Sequence, residues 1–254
     1  AGSPGIAVGN VVGSNIANIL LILGGPPVIR PITITSGALK RDGVLVIITA
    51  IIFMLIGWFW TLDRFVGAIF VAGLAAYIWF AWRQESQGID GHTAAFDRAE
   101  AGEAAHEGTG LHVRGHLRPE TNLARVLLAL SFAVAGLVVV VIGGRLLVDG
   151  SIGLARGLGI SEAVIGLTIV AVGTSMPELV TSVLAALRRQ SEVALGNVLG
   201  SNMYNVLGIA GVTAIISPTG VPAQIAGFDT PVMVAVSILL LVVAATGLRI
   251  SRRE

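Results

Sequence analysis

The chain carries the stretch Gly166-Leu-Thr-Ile-Val-Ala-Val-Gly-Thr-Ser-Met-Pro-Glu-Leu-Val-Thr-Ser-Val-Leu-Ala-Ala-Leu187, an apolar segment with one carboxylate, Glu178. From Ala163 to Leu187 no other residue is ionisable, and this length suffices to cross a bilayer core of about 30 Å. A charge at that depth costs at least about 2.5 kcal/mol on insertion scales, so such groups usually face a cavity or a partner and mark an ion path. We therefore predict that Glu178 lies within the membrane.

The residues around Glu178 favour cation binding. Pro177 has no N–H and clashes with the carbonyl four residues before it, so carbonyls near Gly173 are freed from the helical hydrogen bonds. In lipid those groups need other partners, and a broken helix that lines a polar cavity can offer them to a cation. Thr174 and Thr181 share one helical face with Glu178. Hard, anionic oxygen ligands suit sodium or calcium better than a soft metal.

The composition is that of a polytopic membrane protein. Of the 254 residues, 54% are hydrophobic and 12% are charged, and the mean hydropathy is +0.87, whereas about 25% of residues are charged in soluble domains. The absence of cysteine excludes disulfides and thiol chemistry. All four histidines fall between residues 83 and 122, outside every apolar span, which excludes an intramembrane Ser–His hydrolase. We predict neither an enzyme nor a cofactor.

The apolar spans predict an all-α polytopic membrane fold with seven transmembrane helices, at residues 6–29, 44–60, 65–82, 123–147, 163–187, 193–216 and 225–248. Spans 44–60 and 65–82 contain no charged residue, so we interpret them as scaffold helices without a buried charge.

The loop charges predict the orientation in the membrane. Alternating the loops between two faces places 13 of the lysines and arginines on one side and 3 on the other, which is a strong positive-inside signal. We predict an integral, multi-pass protein of an inner or plasma membrane, with the 83–122 loop and the C-terminus in the cytoplasm. That loop is polar and predicted to be mobile. Its histidines are more typical of a solvated linker than of metal sensing: His92, His106, His112 and His116.

The chain contains an internal repeat. Residues 7–25 and 194–212 are related by a constant offset of 187 and are identical at 11 of 19 positions, and Pro31 falls on Pro218 at the same offset. The loop alternation makes the first copy run inward and the second outward. Inverted repeats of this kind form substrate sites at their interface near the bilayer midplane.

Each copy of the repeat carries polar residues on one helical stripe, at steps of four: Asn10, Ser14 and Asn18 in the first, and Asn197, Ser201 and Asn205 in the second. The pairs Gly9/Gly13 and Gly196/Gly200 predict close helix approach. The asparagines could simply link helices by hydrogen bonds, an interpretation that stays open for Asn15 and Asn202. Because the stripe is duplicated beside a buried carboxylate, we favour cation coordination for four residues: Ser14, Asn18, Ser201 and Asn205.

The motif Gly173-Thr-Ser-Met-Pro-Glu178, followed by Gly196-Asn-Val-Leu-Gly-Ser-Asn-Met-Tyr-Asn205, resembles the second α-repeat of the sodium/calcium exchanger family of cation/calcium antiporters, and residues 7–25 resemble the end of the first. The resemblance implies an inverted-repeat fold of ten helices, of which helices three to nine are present: the rest of the first half (1–82), a cytoplasmic polar loop (83–122), and the second half (123–254) with its α-repeat at about 163–217. It also implies a set of cation ligands: Glu178, Thr174, Ser175, a carbonyl near Ala171, Ser201, Asn205, Ser14 and Asn18.

The chain departs from the family pattern in two ways. The first family repeat has its own Gly-Thr-Ser-x-Pro-Glu element about one helix upstream of residues 7–25, and the sequence starts after it. We expect a piece that lacks the first two and the last transmembrane helices and that transports nothing alone, because one carboxylate leaves a divalent ion half neutralised. Asn205 stands where some relatives carry aspartate, so the resemblance does not decide the co-ion.

The predicted function is secondary antiport, in which calcium and sodium occupy overlapping oxygen-lined sites in turn by alternating access. A calcium/proton or potassium-dependent antiporter is the alternative. The inverted repeat and the broken helix disfavour a cation channel, and Glu178 disfavours an inert scaffold or assembly subunit. The predicted partners are inorganic cations and the lipid bilayer, not nucleic acid, and the oligomeric state stays open.

Overall fold

A computed structural model describes residues 4–22, 24, 27, 32–33, 39–86, 157–188, 191–245 and 249–250, together with scattered positions between 131 and 153. The predicted span 123–147 and loop residues 87–122, with all four histidines, lie largely or entirely outside these residues. Their structures therefore stay predictions.

The described elements are mostly helical, as the sequence predicts. In chain order the α-helices are α1 Pro4–Ala17, α2 Val44–Phe59, α3 Arg64–Ser86, α4 Glu162–Ile165, α5 Ala171–Leu187, α6 Ser191–Met203, α7 Gly211–Ile216 and α8 Thr230–Ala245. Wider π-helical segments adjoin them at Asn18–Ile22, Leu39–Gly43, Gly166–Val170, Tyr204–Ala210 and Ile225–Asp229. Most predicted spans therefore consist of an α-helix with a π-helical segment before it, after it or within it.

Four helical stretches among the described residues are long and apolar enough to cross a bilayer: Arg41–Phe59, Arg64–Arg83, Val193–Ile216 and Ile225–Ala245. A fifth is a pair of helical parts, Ala163–Ser175 and Glu178–Leu187, bent by 41°. The first repeat copy forms a shorter apolar helix, Gly5–Leu20. These stretches support the predicted all-α membrane fold.

The helix that carries Glu178 is bent and not interrupted. The bend lies at the predicted break around Pro177, yet the backbone remains helical from Ala171 to Leu187. A single proline removes one hydrogen bond, and a helix can absorb that loss as a kink. The π-helical turn Gly166–Val170 stands directly before this helix, a feature that the sequence did not predict.

Helix α2 shows how an apolar helix sits between lipid and protein. Its side chains Val44, Ile48 and Ile52 lie four residues apart and are exposed, whereas Ala50 and Phe53 on the other side are buried. An exposed apolar stripe would be unfavourable in water, but it is the expected lipid-facing surface of a membrane helix.

Helix α3 begins with a side-chain cap. Asp63 Oδ1 accepts a hydrogen bond from the Val66 N–H at 2.9 Å, and its Oδ2 accepts one from the Trp60 indole at 3.2 Å. These bonds hold the pKa of Asp63 below its ordinary value. The cap satisfies an N–H that has no partner inside the helix and thereby marks the end of the short connection between α2 and α3.

Two short β contacts tie the first half of the chain to the second. Strands β1 (Ile32–Thr33) and β2 (Arg249–Ile250) pair antiparallel, and Leu62 forms an isolated bridge with Thr219. The first pair joins two segments predicted to be cytoplasmic, and the bridge joins two loops predicted to lie on the other face. Both contacts thus agree with the predicted alternation of loops.

Glycines in α1 allow it to approach the Glu178-bearing span closely, as predicted. A Cβ on Gly9 would lie 2.7 Å from the Ala163 carbonyl oxygen, and one on Gly13 would collide with the Leu167 carbonyl oxygen. On the facing span, a Cβ added to Gly166 would likewise lie 2.7 Å from the Ile6 carbonyl oxygen. This near-contact of two backbones brings the polar stripe of α1 next to the Thr174 motif.

Candidate cation site

The close approach of α1 to the Glu178-bearing span joins three of the predicted ligands. The Ser14 hydroxyl lies 3.1 Å from Thr174 Oγ1 and 3.4 Å from the Ala171 carbonyl oxygen. Thr174 Oγ1 also lies 3.1 Å from that carbonyl. The sequence did not identify Asn10 as part of this group, although it lies on the predicted stripe; its Oδ1 accepts from Thr174 Oγ1 at 2.8 Å.

The two repeat copies meet through four asparagines. Asn15 Nδ2 donates to the Asn202 carbonyl oxygen at 3.4 Å, and Asn202 Nδ2 donates to the Asn15 carbonyl oxygen at 3.5 Å. Asn18 Nδ2 donates to Asn202 Oδ1 at 3.0 Å, and Asn205 Nδ2 donates to Asn15 Oδ1 at 3.0 Å. Each bond has a counterpart at the offset of 187, so this asparagine ring has approximate two-fold symmetry.

Three predicted ligands carry buried oxygens that make no hydrogen bond among the described residues: Asn18 Oδ1, Ser175 Oγ and Ser201 Oγ. Their residues are at most 5% exposed. A buried polar oxygen without a partner costs about 1–3 kcal/mol. Such oxygens are therefore usually explained by water, by an ion or by a functional role.

Glu178 is half-buried on the far side of the bend. Asn197 Nδ2 donates to the Glu178 carbonyl oxygen at 3.3 Å and lies 3.2 Å from the Ser182 hydroxyl. Asn197 thus supports the helix turn from which the Glu178 carboxylate projects. The sequence placed Asn197 on the polar stripe but gave it no role, and its counterpart at the offset of 187 is Asn10, which supports Thr174.

The sequence did not identify two aspartates that lie at the starts of membrane spans. Asp42 is fully buried in a π-helical turn at the start of span Arg41–Phe59, two residues before the predicted span 44–60, which itself contains no charged residue. At the offset of 187 lies Asp229, also in a π-helical turn and also at the start of a span. The repeat register, extended past Pro31 and Pro218, would have revealed the pair.

The two aspartates have different surroundings. Arg41 contacts both carboxylate oxygens of Asp42 at 3.1 Å, and the Tyr77 hydroxyl lies 3.5 Å from Asp42 Oδ1. Asp229 follows Phe228 instead of an arginine, and its Oδ2 is buried with no hydrogen bond among the described residues. Hydrogen bonds therefore stabilise the Asp42 carboxylate, whereas the buried Oδ2 of its repeat counterpart Asp229 has none among the described residues.

We expect Asp42→Asn to lower the free energy of unfolding by about 1.5 kcal/mol, the lower end for hydrogen bonds to charged groups, because Arg41 is 21% exposed. Thermal unfolding in detergent measures the change. Asp229→Asn is the matched control, and we expect it to be neutral or stabilising since it removes a carboxylate without a described partner. Equal losses in the two variants would contradict this difference.

The chemistry of the site suits hard cations. The predicted ligands supply hydroxyl, amide and carbonyl oxygens with one carboxylate, and none supplies nitrogen or sulfur. Across the described residues no three histidine, aspartate or glutamate side chains converge. Such a donor set favours sodium or calcium over transition metals. The assignment of individual ligands stays a prediction.

Comparisons with known proteins agree with this chemistry. The profile of the family described as sodium/calcium exchanger protein matches residues 1–83 and 128–254. The chain is 36% identical to sodium/calcium exchanger MaX1 of Methanosarcina acetivorans, over 98% of this chain and 76% of that protein. It is 33% identical to inner membrane protein YrbG of Escherichia coli, over 92% of this chain and 67% of that protein.

A solved structure extends the agreement to three dimensions. The fold is similar to that of the sodium-calcium exchanger NCX_Mj, with a TM-score of 0.62 and 28% identity, over 98% of this chain and 72% of that one. The inverted repeat, the carboxylate within a bent membrane helix and the family match lead to one conclusion. The chain belongs to the sodium/calcium exchanger protein family and is part of an integral membrane cation/calcium antiporter.

Proposed function

We propose that the protein exchanges calcium for sodium across the membrane by alternating access. The observation that carries the proposal is the set of three buried oxygens without a hydrogen bond among the described residues, on Asn18, Ser175 and Ser201. They belong to the two repeat copies and to the Glu178-bearing helix. A desolvated cation would supply the positive partner that these oxygens lack.

Each proposed ligand has a distinct task. Glu178 compensates charge and is the main ligand for a divalent ion. The remaining ligands are neutral oxygens that would complete the shell: the hydroxyls of Ser14, Thr174, Ser175 and Ser201, the amide oxygens of Asn18 and Asn205, and the Ala171 carbonyl. Calcium accepts six to eight oxygens in flexible geometry, so neutral oxygens can serve calcium and sodium in turn.

Calcium/proton exchange is the second candidate. Glu178 is the one titratable group in the proposed set, and a carboxylate that can bind calcium can also bind a proton. The side-chain amide of Asn205 does not bind and release a proton, so in a proton-coupled cycle Glu178 would have to carry the exchanged proton.

Calcium uptake into proteoliposomes of the intact protein tests the proposal. We expect an imposed outward sodium gradient to drive uptake and an imposed pH gradient to have little effect. Uptake driven by the pH gradient alone would move the assignment to calcium/proton exchange. Uptake without any imposed gradient of a co-ion would indicate a channel, and no uptake under any condition would refute transport.

We also propose that the chain forms two inverted halves, 1–82 and 123–254, joined by a cytoplasmic loop at 83–122, with a cytoplasmic C-terminus. The chain has no cysteine, so single cysteines can report the orientation. We expect a membrane-impermeant maleimide to label Gly220→Cys from outside the cell and to label Arg188→Cys only after the membrane is opened. The reverse pattern would overturn the orientation.

A further inference from the structure

Two backbone carbonyls fix the orientation of the asparagine ring. The Asn202 carbonyl oxygen faces the side chain of Asn15 at 3.4 Å, and the Asn15 carbonyl oxygen faces the side chain of Asn202 at 3.5 Å. A carbonyl can only accept, so each of these side chains must turn its Nδ2 toward it. Met233 Sδ, 3.6 Å from Asn15 Nδ2, is a second acceptor on the same side.

This orientation passes to the next pair of side chains. Because their Nδ2 atoms donate to the carbonyls, Asn15 and Asn202 turn Oδ1 toward the next side chain. Asn15 Oδ1 lies 3.0 Å from Asn205, and Asn202 Oδ1 lies 3.0 Å from Asn18. An acceptor at that distance requires a donor, so Asn205 and Asn18 must each turn Nδ2 inward. Rotating either amide by half a turn would place two oxygens against each other.

Two hydrogen-bond relays result, one from a backbone carbonyl through Asn15 to Asn205 and one through Asn202 to Asn18. The outer end of each relay is therefore the side-chain oxygen of Asn205 or Asn18. Asn18 is 1% exposed, and its Oδ1 is buried without a hydrogen bond among the described residues. Asn205 is half-buried and has the same orientation at the other end of the ring. Both are proposed cation ligands, and an amide can serve as one only when its oxygen, and not its N–H, faces the ion.

We propose that Asn15 and Asn202 are positioning residues that hold the amide oxygens of Asn18 and Asn205 toward the cation, and thereby set cation affinity from outside the ligand shell. The inference rests on the proposed function. It gives a role to two residues for which the sequence left open an interpretation as simple links between helices. Partners that orient metal ligands typically contribute 10- to 100-fold in affinity.

The test compares Asn15→Leu and Asn202→Leu with the parent protein. Leucine is close in size, removes the acceptor that orients the outer amide, and leaves Asn205 or Asn18 free to turn its N–H toward the ion. We expect the half-saturating calcium concentration for uptake to rise at least about tenfold, with the maximal rate little changed. Asn18→Leu, which removes the oxygen itself, gives the reference for complete loss of one ligand.

Met233→Leu is the matched control, because it removes the sulfur contact of Asn15 but leaves both carbonyl anchors in place. We expect its half-saturating concentration to equal that of the parent. Cation binding is also measured without transport, as the rise in thermal midpoint on adding calcium or sodium in detergent. This rise should shrink in the two leucine variants of the ring and persist in Met233→Leu.

The outcomes separate the two proposals. A parent protein with neither gradient-driven uptake nor a cation-induced thermal shift refutes the proposed function. A working parent whose ring variants keep its half-saturating concentration and thermal shift overturns the positioning role alone. If the leucine variants do not fold, hydrogen exchange of the side-chain amides in the parent decides. Slow exchange at Asn18 and Asn205 with and without cation supports the relay, and fast exchange overturns it.

Discussion

Replacing Glu178 with glutamine should abolish calcium uptake by the intact protein. Glutamine keeps the shape and one oxygen ligand but removes the negative charge. Two unit charges 4 Å apart interact by about 4 kcal/mol at an effective dielectric of 20, and a divalent ion doubles that energy. Even after a large desolvation offset, we expect calcium affinity to fall by at least about 100-fold, and sodium, with half the charge, to lose less.

The measurement is the initial rate of sodium-driven calcium uptake, with sodium–sodium exchange in parallel. Asp63→Asn is the matched control, because it makes the same change from carboxylate to amide at a half-buried position in the connection between α2 and α3, and asparagine retains the cap of α3. Uptake by Glu178→Gln at the rate of the parent would remove Glu178 from the site. Loss of uptake in both variants would mean that total charge, and not the position of Glu178, limits transport.

Gly13→Val should also eliminate transport, through packing and not through charge. A Cβ on Gly13 would collide with the Leu167 carbonyl oxygen and lie 2.7 Å from the Ala171 Cβ. Backbone atoms cannot turn aside as a flexible side chain can, so the two helices must separate. Because Ser14 lies 3.4 Å from the Ala171 carbonyl and 3.1 Å from Thr174 Oγ1, even a small separation breaks both contacts. Overpacking of this kind costs about 1–3 kcal/mol.

Gly73→Ala in α3 is the control for helical glycine replacement, since its Cβ would meet nothing closer than 3.9 Å. We expect it to be neutral or slightly stabilising, because alanine favours a helix over glycine by about 1 kcal/mol. Gly13→Ala should fall between Gly73→Ala and Gly13→Val in both thermal midpoint and uptake. Parent-like uptake by Gly13→Val would contradict the close helix approach at this site.

The sequence predicted what depends on local patterns. Apolar spans gave the helices, and the 187-residue offset gave a repeat whose symmetry reappears in the bonds between Asn15 and Asn202. The close approach at Gly9 and Gly13 followed from their spacing. Loop alternation gave a topology with which the pairing of Ile32 with Ile250 agrees.

What the sequence missed depends on contacts between distant segments. Asp42 contacts Tyr77 from another helix at 3.5 Å, and no local sequence pattern predicts that contact. The π-helical turns arise where packing and backbone geometry compete, and they carry no sequence signal of their own. The amides of Asn15 and Asn202 likewise each face a backbone carbonyl 187 residues away, a contact that no local pattern shows.

The two β contacts between the halves limit how a transport cycle could proceed. One joins β1 to β2, and the other joins Leu62 to Thr219, in loops that are predicted to lie on the other face of the membrane. A rigid-body separation of the first and second parts of the chain would break the backbone hydrogen bonds of at least one of these contacts. We therefore expect that, in the proposed transport cycle, access to a buried ion changes by helices that slide past these two contacts while both stay intact.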